Sequence, residues 1–114
     1  MPSFSPLTSI VAFANVALAV QGSATFYLPN HGIGHCGWPI NNMDWAVALP
    51  NSHYDGGAHC GKGIVVHHKG KTLTGIVADS CPGCADNQLD LDEGFFDQFD
   101  LESVGRINVD WHFA

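Results

Sequence analysis

Three sets of residues in this chain have types and spacings suited to chemistry. They are the pair Cys81-Pro82-Gly83-Cys84, seven histidines, and a group of aspartates beside glycine-rich loops. The cysteine spacing matches that of thiol–disulfide exchange sites, which place the first cysteine at a helix N-terminus to lower its pKa. Here Cys84 is followed by Ala-Asp-Asn-Gln and then a short strand pattern, and Asp79 and Asp86 flank the pair. Negative charge disfavours a thiolate, so a structural clip is the expectation. The histidines do not combine into a metal-binding pattern. His31 and His35 sit in a Gly-rich loop, His67 and His68 are adjacent in a strand and point to opposite faces, and His53 and His59 flank Gly56-Gly57. With no HExxH motif, neither a metal site nor a cofactor is expected.

The aspartates are more informative. Asp79 ends a hydrophobic run just before the Cys-rich loop, and Asp90 stands between Leu89 and Leu91. The neighbours of Asp90 then face a core while Asp90 faces a groove. Asp44 and Asp55 lie at the edges of other loops. Glycoside hydrolysis uses two carboxylates, one as acid and one as base or nucleophile. Each aspartate has an alternative role in capping a turn. Trp38, Trp45, Tyr27, Tyr54 and Trp111 add flat apolar faces that stack on sugar rings where exposed, or fill a core where not.

The elements that must position these residues are mostly strands. Ala24–Tyr27 reads as a first strand, residues 29–42 as a loop, and Trp45–Leu49 as a short buried strand. Residues 50–57 form a turn or one helical turn. Ile64–His68 and Thr72–Asp79 pair as a hairpin through Lys69-Gly70. Leu89–Leu91 is a brief extended piece. Asp92 suits an N-cap for a short helix carrying Phe95, Phe96 and Phe99, which Gly94 weakens. The clearest signal closes the chain: Ile107, Val109, Trp111 and Phe113 alternate with Arg106, Asn108, Asp110 and His112, a half-buried strand. The pattern predicts an all-β domain with one or two short helices, arranged as a small barrel or sandwich. A barrel has the advantage of leaving no open edge.

The 114 residues allow one domain. Residues 7–20, LTSIVAFANVALAV, are apolar but too short for a comfortable membrane span. Small residues follow at Ala17 and Ala19, Val20 and Gly22, or Gly22 and Ala24, as signal peptidase requires. The stretch lacks the usual basic start, and a buried N-terminal helix is the alternative. The expectation is a signal peptide over residues 1–22, a domain over 23–114, and a secreted protein. In that compartment Cys36, Cys60, Cys81 and Cys84 form disulfides, with three pairings open to them. Every Lys, Arg, Asp and Glu lies after residue 40, giving a net charge of −7. That sign repels phosphate backbones and anionic lipid, so neither nucleic acid nor a membrane is an expected partner.

Ordered motifs then point to a family. They are Ala24-Thr25-Phe26-Tyr27, His35-Cys36-Gly37-Trp38, Asp55-Gly56-Gly57-Ala58-His59-Cys60-Gly61-Lys62, Val77-Ala78-Asp79-Ser80-Cys81-Pro82-Gly83-Cys84, Leu89-Asp90-Leu91 and residues 104–111. In this order they resemble the loosenins and the expansin-like, barwin-related and rare lipoprotein A-like proteins. The resemblance spans about residues 24–113 and implies a six-stranded double-psi β-barrel. It also implies the pairings Cys36 with Cys60 and Cys81 with Cys84. Asp90 matches the aspartate that acts as general acid in related glycoside hydrolases, and Thr25 and Tyr27 match residues lining the same groove. Those hydrolases carry a base aspartate just after that tyrosine, where this chain has Leu28-Pro29.

The reading that follows is a monomeric wall-loosening protein that binds cellulose, chitin or β-glucan without hydrolysis. Asp90 makes the catalytic-like contact, and Thr25, Tyr27, Asp79, Trp38 and Asp55 line the substrate. Two alternatives stand beside it. One is a glycosidase or lytic transglycosylase using Asp90, with Asp79 as a substitute base. The other is a secreted protease inhibitor or effector.

Overall fold

A computed structural model describes residues 18–114. The expected leader lies outside the described residues as far as position 17. Six strands form one closed barrel: β1 (Val20–Tyr27), β2 (Ala46–Pro50), β3 (Gly63–His68), β4 (Lys71–Cys81), β5 (Gln88–Asp92) and β6 (Ile107–Phe113). Around the barrel the order is β1-β5-β2-β4-β3-β6. The β1–β5 and β2–β4 pairs are parallel and the others antiparallel. Two single-turn helices, α1 (Asn51–Tyr54) and α2 (Glu93–Phe96), and two 3₁₀ turns complete it.

The core follows from period-two alternation. Ala24, Val47, Leu49, Ile64, Val66, Val77, Leu89, Leu91, Ile107, Val109 and Trp111 point inward, and Phe95 and Phe96 plug one side. Trp111 is fully buried, and its indole N–H donates to the Asn87 carbonyl at 3.2 Å. Tyr54, weighed above as a stacking face, is instead part of this core. The hairpin lies where expected: Lys69 and Gly70 both have positive φ, as a two-residue type I′ turn requires, and His68 pairs with Lys71.

Several elements differ from the sequence expectation. β1 begins at Val20, where Val20, Gln21 and Gly22 pair with Trp111, Asp110 and Val109. Gly94 does not merely weaken α2. A Cβ there would stand 2.6 Å from the Met43 sulfur, so the close approach of the loop demands glycine. Asp92 caps α2, accepting from the Phe95 N–H at 2.9 Å, and also accepts from the Ala46 N–H at 2.8 Å. It thereby ties β5, α2 and β2 together in the interior.

Cys36 pairs with Cys60, and Cys81 with Cys84. The first bridge closes 24 residues and contributes about 3 kcal/mol by restricting the unfolded chain. The second clips the end of β4 to the turn that leads into β5.

Candidate functional site: a polar row across four strands

Strand register builds a site that no local segment contains. Thr25 on β1 pairs with Asp90 on β5, Asp90 with Ala48 on β2, and Ala48 with Asp79 on β4. These four residues form one row across the outside of the barrel. Two strand spacings separate the Asp90 and Asp79 backbones, roughly 10 Å. Ala48, with only a methyl group, lies buried between the two aspartate strands.

A bulge in β4 sets this arrangement. Val47 pairs with Val77, but Ala48 pairs with Asp79, so Ala78 is an extra residue. The Ala78 carbonyl accepts from the Cys36 N–H at 3.2 Å, and Ala78 packs with Ile40 and Ala46 in a small second core. Gly34 lies so close that a Cβ would come within 2.4 Å of the Ala78 oxygen. The disulfide-anchored loop therefore covers the bulge and holds Asp79 on the row.

The two aspartates have different surroundings. Asp79 is fully engaged: its Oδ2 accepts from the Tyr27 hydroxyl at 3.1 Å, and its Oδ1 accepts from the N–H groups of His35 and Ser80, both at 2.9 Å. The His35 ring stacks on Tyr54 with centroids 4.6 Å apart, and its Nδ1 lies 2.9 Å from the Ser80 hydroxyl. Burial, and then the charge of Asp79, push the Tyr27 phenol far above its ordinary range. It remains a donor.

Asp90 receives one side-chain hydrogen bond, from the Thr25 hydroxyl to Oδ1 at 3.0 Å, while Gln88 donates to Thr25 at 3.1 Å. Among the described residues no donor engages its Oδ2. Burial raises the Asp90 carboxyl above its usual value. The Thr25 hydrogen bond and the Arg106 charge oppose that rise, and Asp79 adds to it. This is a half-buried carboxyl with a raised pKa and one uncommitted oxygen. It can accept from a ligand hydroxyl or, once protonated, donate to a hydroxyl or ether oxygen.

Thr25, Tyr27, Asp79 and Asp90 are thus brought together. Asp55 takes no part in these hydrogen bonds and adopts the left-handed conformation that terminates α1. Trp38 is 39 % exposed on the loop that reaches the row through His35. Asp44 caps a turn, accepting from the Asn41 N–H at 2.8 Å. His35, Ser80, Gln88 and Arg106 belong to the site's surroundings and were missed. The alternation of β5, where Gln88 stands two residues before Asp90, and of residues 106–113 was the available signal for the last two. No group of three or more His, Cys, Asp or Glu among the described residues is arranged to hold a metal ion.

No protein-family model matches the chain. It is 34 % identical over 111 residues to the Allergen Asp f 7 homolog of Arthroderma benhamiae, covering 81 % of this chain but only 38 % of that protein. It is 25 % identical to an EG45-like domain containing protein of Citrus jambhiri, covering 93 % of this chain and 90 % of the other. A papain inhibitor from Streptomyces mobaraensis is 27 % identical over 83 % of this chain and 71 % of its own. Among solved structures, the Streptomyces papain inhibitor superposes with a TM-score of 0.76 at 25 % identity, covering 88 % of this chain and 97 % of that one. A mutant Clavibacter michiganensis expansin in complex with cellohexaose gives a TM-score of 0.79 at 27 % identity, covering 85 % of this chain and 50 % of that one. With the closed six-stranded barrel, these relationships make the chain a double-psi β-barrel of the expansin-like and barwin-like fold.

Proposed function

We propose that this protein acts outside the cell, binds an extended cell-wall glycan across the Thr25–Asp90–Ala48–Asp79 row, and loosens its packing without cutting it. The observation that carries this reading is the asymmetry of the two aspartates. Asp90 offers a free oxygen to a ligand, whereas Asp79 is occupied by three donors. Hydrolysis with inversion needs a base carboxylate free to activate water on the far side of the sugar. Asp79 has the wrong commitments for that role, and Leu28-Pro29 supplies no carboxylate near Tyr27. Asp90 then competes for the hydrogen bonds that hold one glycan chain to the next. The expansin bound to cellohexaose, similar over most of this chain, supports the ligand class. The two disulfides fit secretion.

The test is retention of the protein on insoluble cellulose, chitin and β-glucan, with fibre mechanics and reducing ends followed together. Retention and softening without new reducing ends, both reduced in Asp90→Asn, are expected. New reducing ends that vanish in Asp90→Asn would make the protein a glycosidase or transglycosylase instead.

One observation favours a second reading. The chain covers nearly all of the Streptomyces papain inhibitor but half of the expansin. Inhibition of papain at micromolar concentration, with no retention on any polymer, would establish that reading in place of the first.

A further inference from the structure

Beyond the row, the outer face of β1 continues. Gln21, Ser23, Thr25 and Tyr27 alternate with the inward Ala24 and Phe26. Thr25 and Gln21 are separated by ~13 Å along the strand. Ser23 pairs with Gln88 on one side and Asn108 on the other, and Arg106 donates to its hydroxyl at 2.9 Å. Arg106 therefore links the Asp90 row to the start of β6.

There the surface dips into two depressions that meet at His68, Lys69 and Asn108. One, of about 440 Å³, is also lined by Gln21, His67 and Asp110. The other, of about 430 Å³, is also lined by Asp100, Val104 and Arg106. Together they form a trough open to solvent and continuous with the polar face of β1.

The charge of this trough is unusual for the chain. The protein has only four Lys and Arg residues against eleven Asp and Glu, yet Lys69 and Arg106 both line it. Lys71, on the same hairpin, is committed to the Gln98 carbonyl at 2.6 Å. At the floor lies His68, buried, with Nδ1 2.6 Å from the Asn108 carbonyl and Nε2 3.2 Å from Asp100. Asp100 also accepts from the Leu101 N–H at 2.8 Å, so its carboxylate is taken up within the fold. Lys69 and Arg106 are the two Lys/Arg cations of the trough, and Asp110 is its other carboxylate. Gln21, Asn108 and Asp110 add the amide and carboxylate groups that hydrogen-bond sugar hydroxyls.

The geometry points to a second carbohydrate subsite along the start of β6, which takes a sugar unit bearing a carboxylate. The carboxylate lies between Lys69 and Arg106, and the ring hydroxyls meet Gln21 and Asn108. This rests on the reading of the protein as a glycan binder, and it makes acidic wall polysaccharides a substrate class alongside neutral ones.

The experiment is an amide NMR titration of the folded, disulfide-bonded protein with two probes, a galacturonic acid hexamer and cellohexaose. The acidic hexamer is expected to shift the amides of residues 67–69 and 106–110, and cellohexaose those of Thr25 and Asp90. Lys69→Asn removes the charge while suiting the left-handed turn. It is expected to weaken the acidic hexamer about tenfold, the loss for one charge-assisted hydrogen bond, and to leave cellohexaose unchanged. If cellohexaose shifts the row while the acidic hexamer moves nothing near His68, the subsite is wrong and the groove stands. Equal shifts at the trough by both sugars, insensitive to Lys69→Asn, overturn its acidic preference. Silence from both probes overturns the subsite, and retention on insoluble polymers then decides the groove separately.

Discussion

The outer row and the hairpin end place partly buried aspartates in opposite electrostatic settings. Asp90, on a strand, is held mainly by burial, which raises its carboxyl. Asp100, on a loop, accepts from the Leu101 N–H at 2.8 Å and faces His68; those contacts lower it. A strand face with one hydroxyl partner leaves a carboxylate under-solvated and ready for a ligand. A loop that folds its own N–H groups around a carboxylate stabilises the anion and makes it structural. The comparison separates a group kept available from one already satisfied.

The largest effect expected from breaking this contrast comes from the loop that shapes the row. Replacing Cys36 and Cys60 by serine removes about 3 kcal/mol of stability in chemical denaturation. Because Cys36 anchors the bulge at Ala78, glycan retention falls further than for the Cys81/Cys84 double serine variant. Equal loss of retention in both would show that the bulge does not control Asp79.

Next in size is the interior cap. Asp92→Ala leaves the Phe95 and Ala46 N–H groups without their acceptor, at roughly 1–3 kcal/mol for each unpaired group. Phe95 and Phe96 sit just beyond it, so tryptophan and near-UV signals should broaden as the plug loosens. An unchanged melting temperature would contradict the role assigned to Asp92.

The pH dependence sharpens the comparison directly. Asp90 has a folded pKa above its unfolded one, so the folded state holds the extra proton. It favours folding at low pH and loses that contribution as pH rises from the ordinary carboxyl range through its folded pKa. Asp100 is the reverse: its contribution is present above the ordinary range and is lost as pH falls through its lowered folded pKa. Denaturation midpoints measured from pH 2.5 to 7 should therefore show Asp90→Asn relieving a loss on the rising side. Asp100→Asn should remove one on the acid side. The same sign for both variants would refute the contrast.

The smallest effect is expected at Asp55. Asparagine tolerates the left-handed backbone there, so Asp55→Asn should change stability by less than about 0.5 kcal/mol and leave polymer retention intact. A clear loss of retention would bring the Asp55–Gly57 turn into the site.

The start of the folded chain bears on the leader. β1 is paired from Val20 onward, and we propose that, where a leader is removed, processing spares these pairs and falls after Ala19. Mass measurement of the protein from culture medium should give Val20 as the first residue. A chain beginning at Ser23 would lack three pairs to β6 and show a lower melting temperature.

Much of the fold was legible because alternation is a local property. β6, the β3–β4 hairpin and the inward Leu89 and Leu91 follow from period two and from Lys69-Gly70. The first four residues of β1, 20–23, were not legible, because they read equally as the end of an apolar leader and its cleavage site. Gly94 looked like a helix defect because its reason, contact with Met43, lies fifty-one positions away in the chain.

For the site, the residue types were evident and their assembly was not. The chain by itself determined that Asp90 stands out between two core leucines, and that Thr25 and Tyr27 share a face. Strand order and register decided that Asp90, Ala48 and Asp79 stand in one row. One extra residue at Ala78 decided that Asp79 faces outward with them. Side-chain facing within a strand depends on neighbours two apart, so sequence carries it. Pairing between strands and the placing of a bulge depend on packing across the barrel, which only the closed structure fixes.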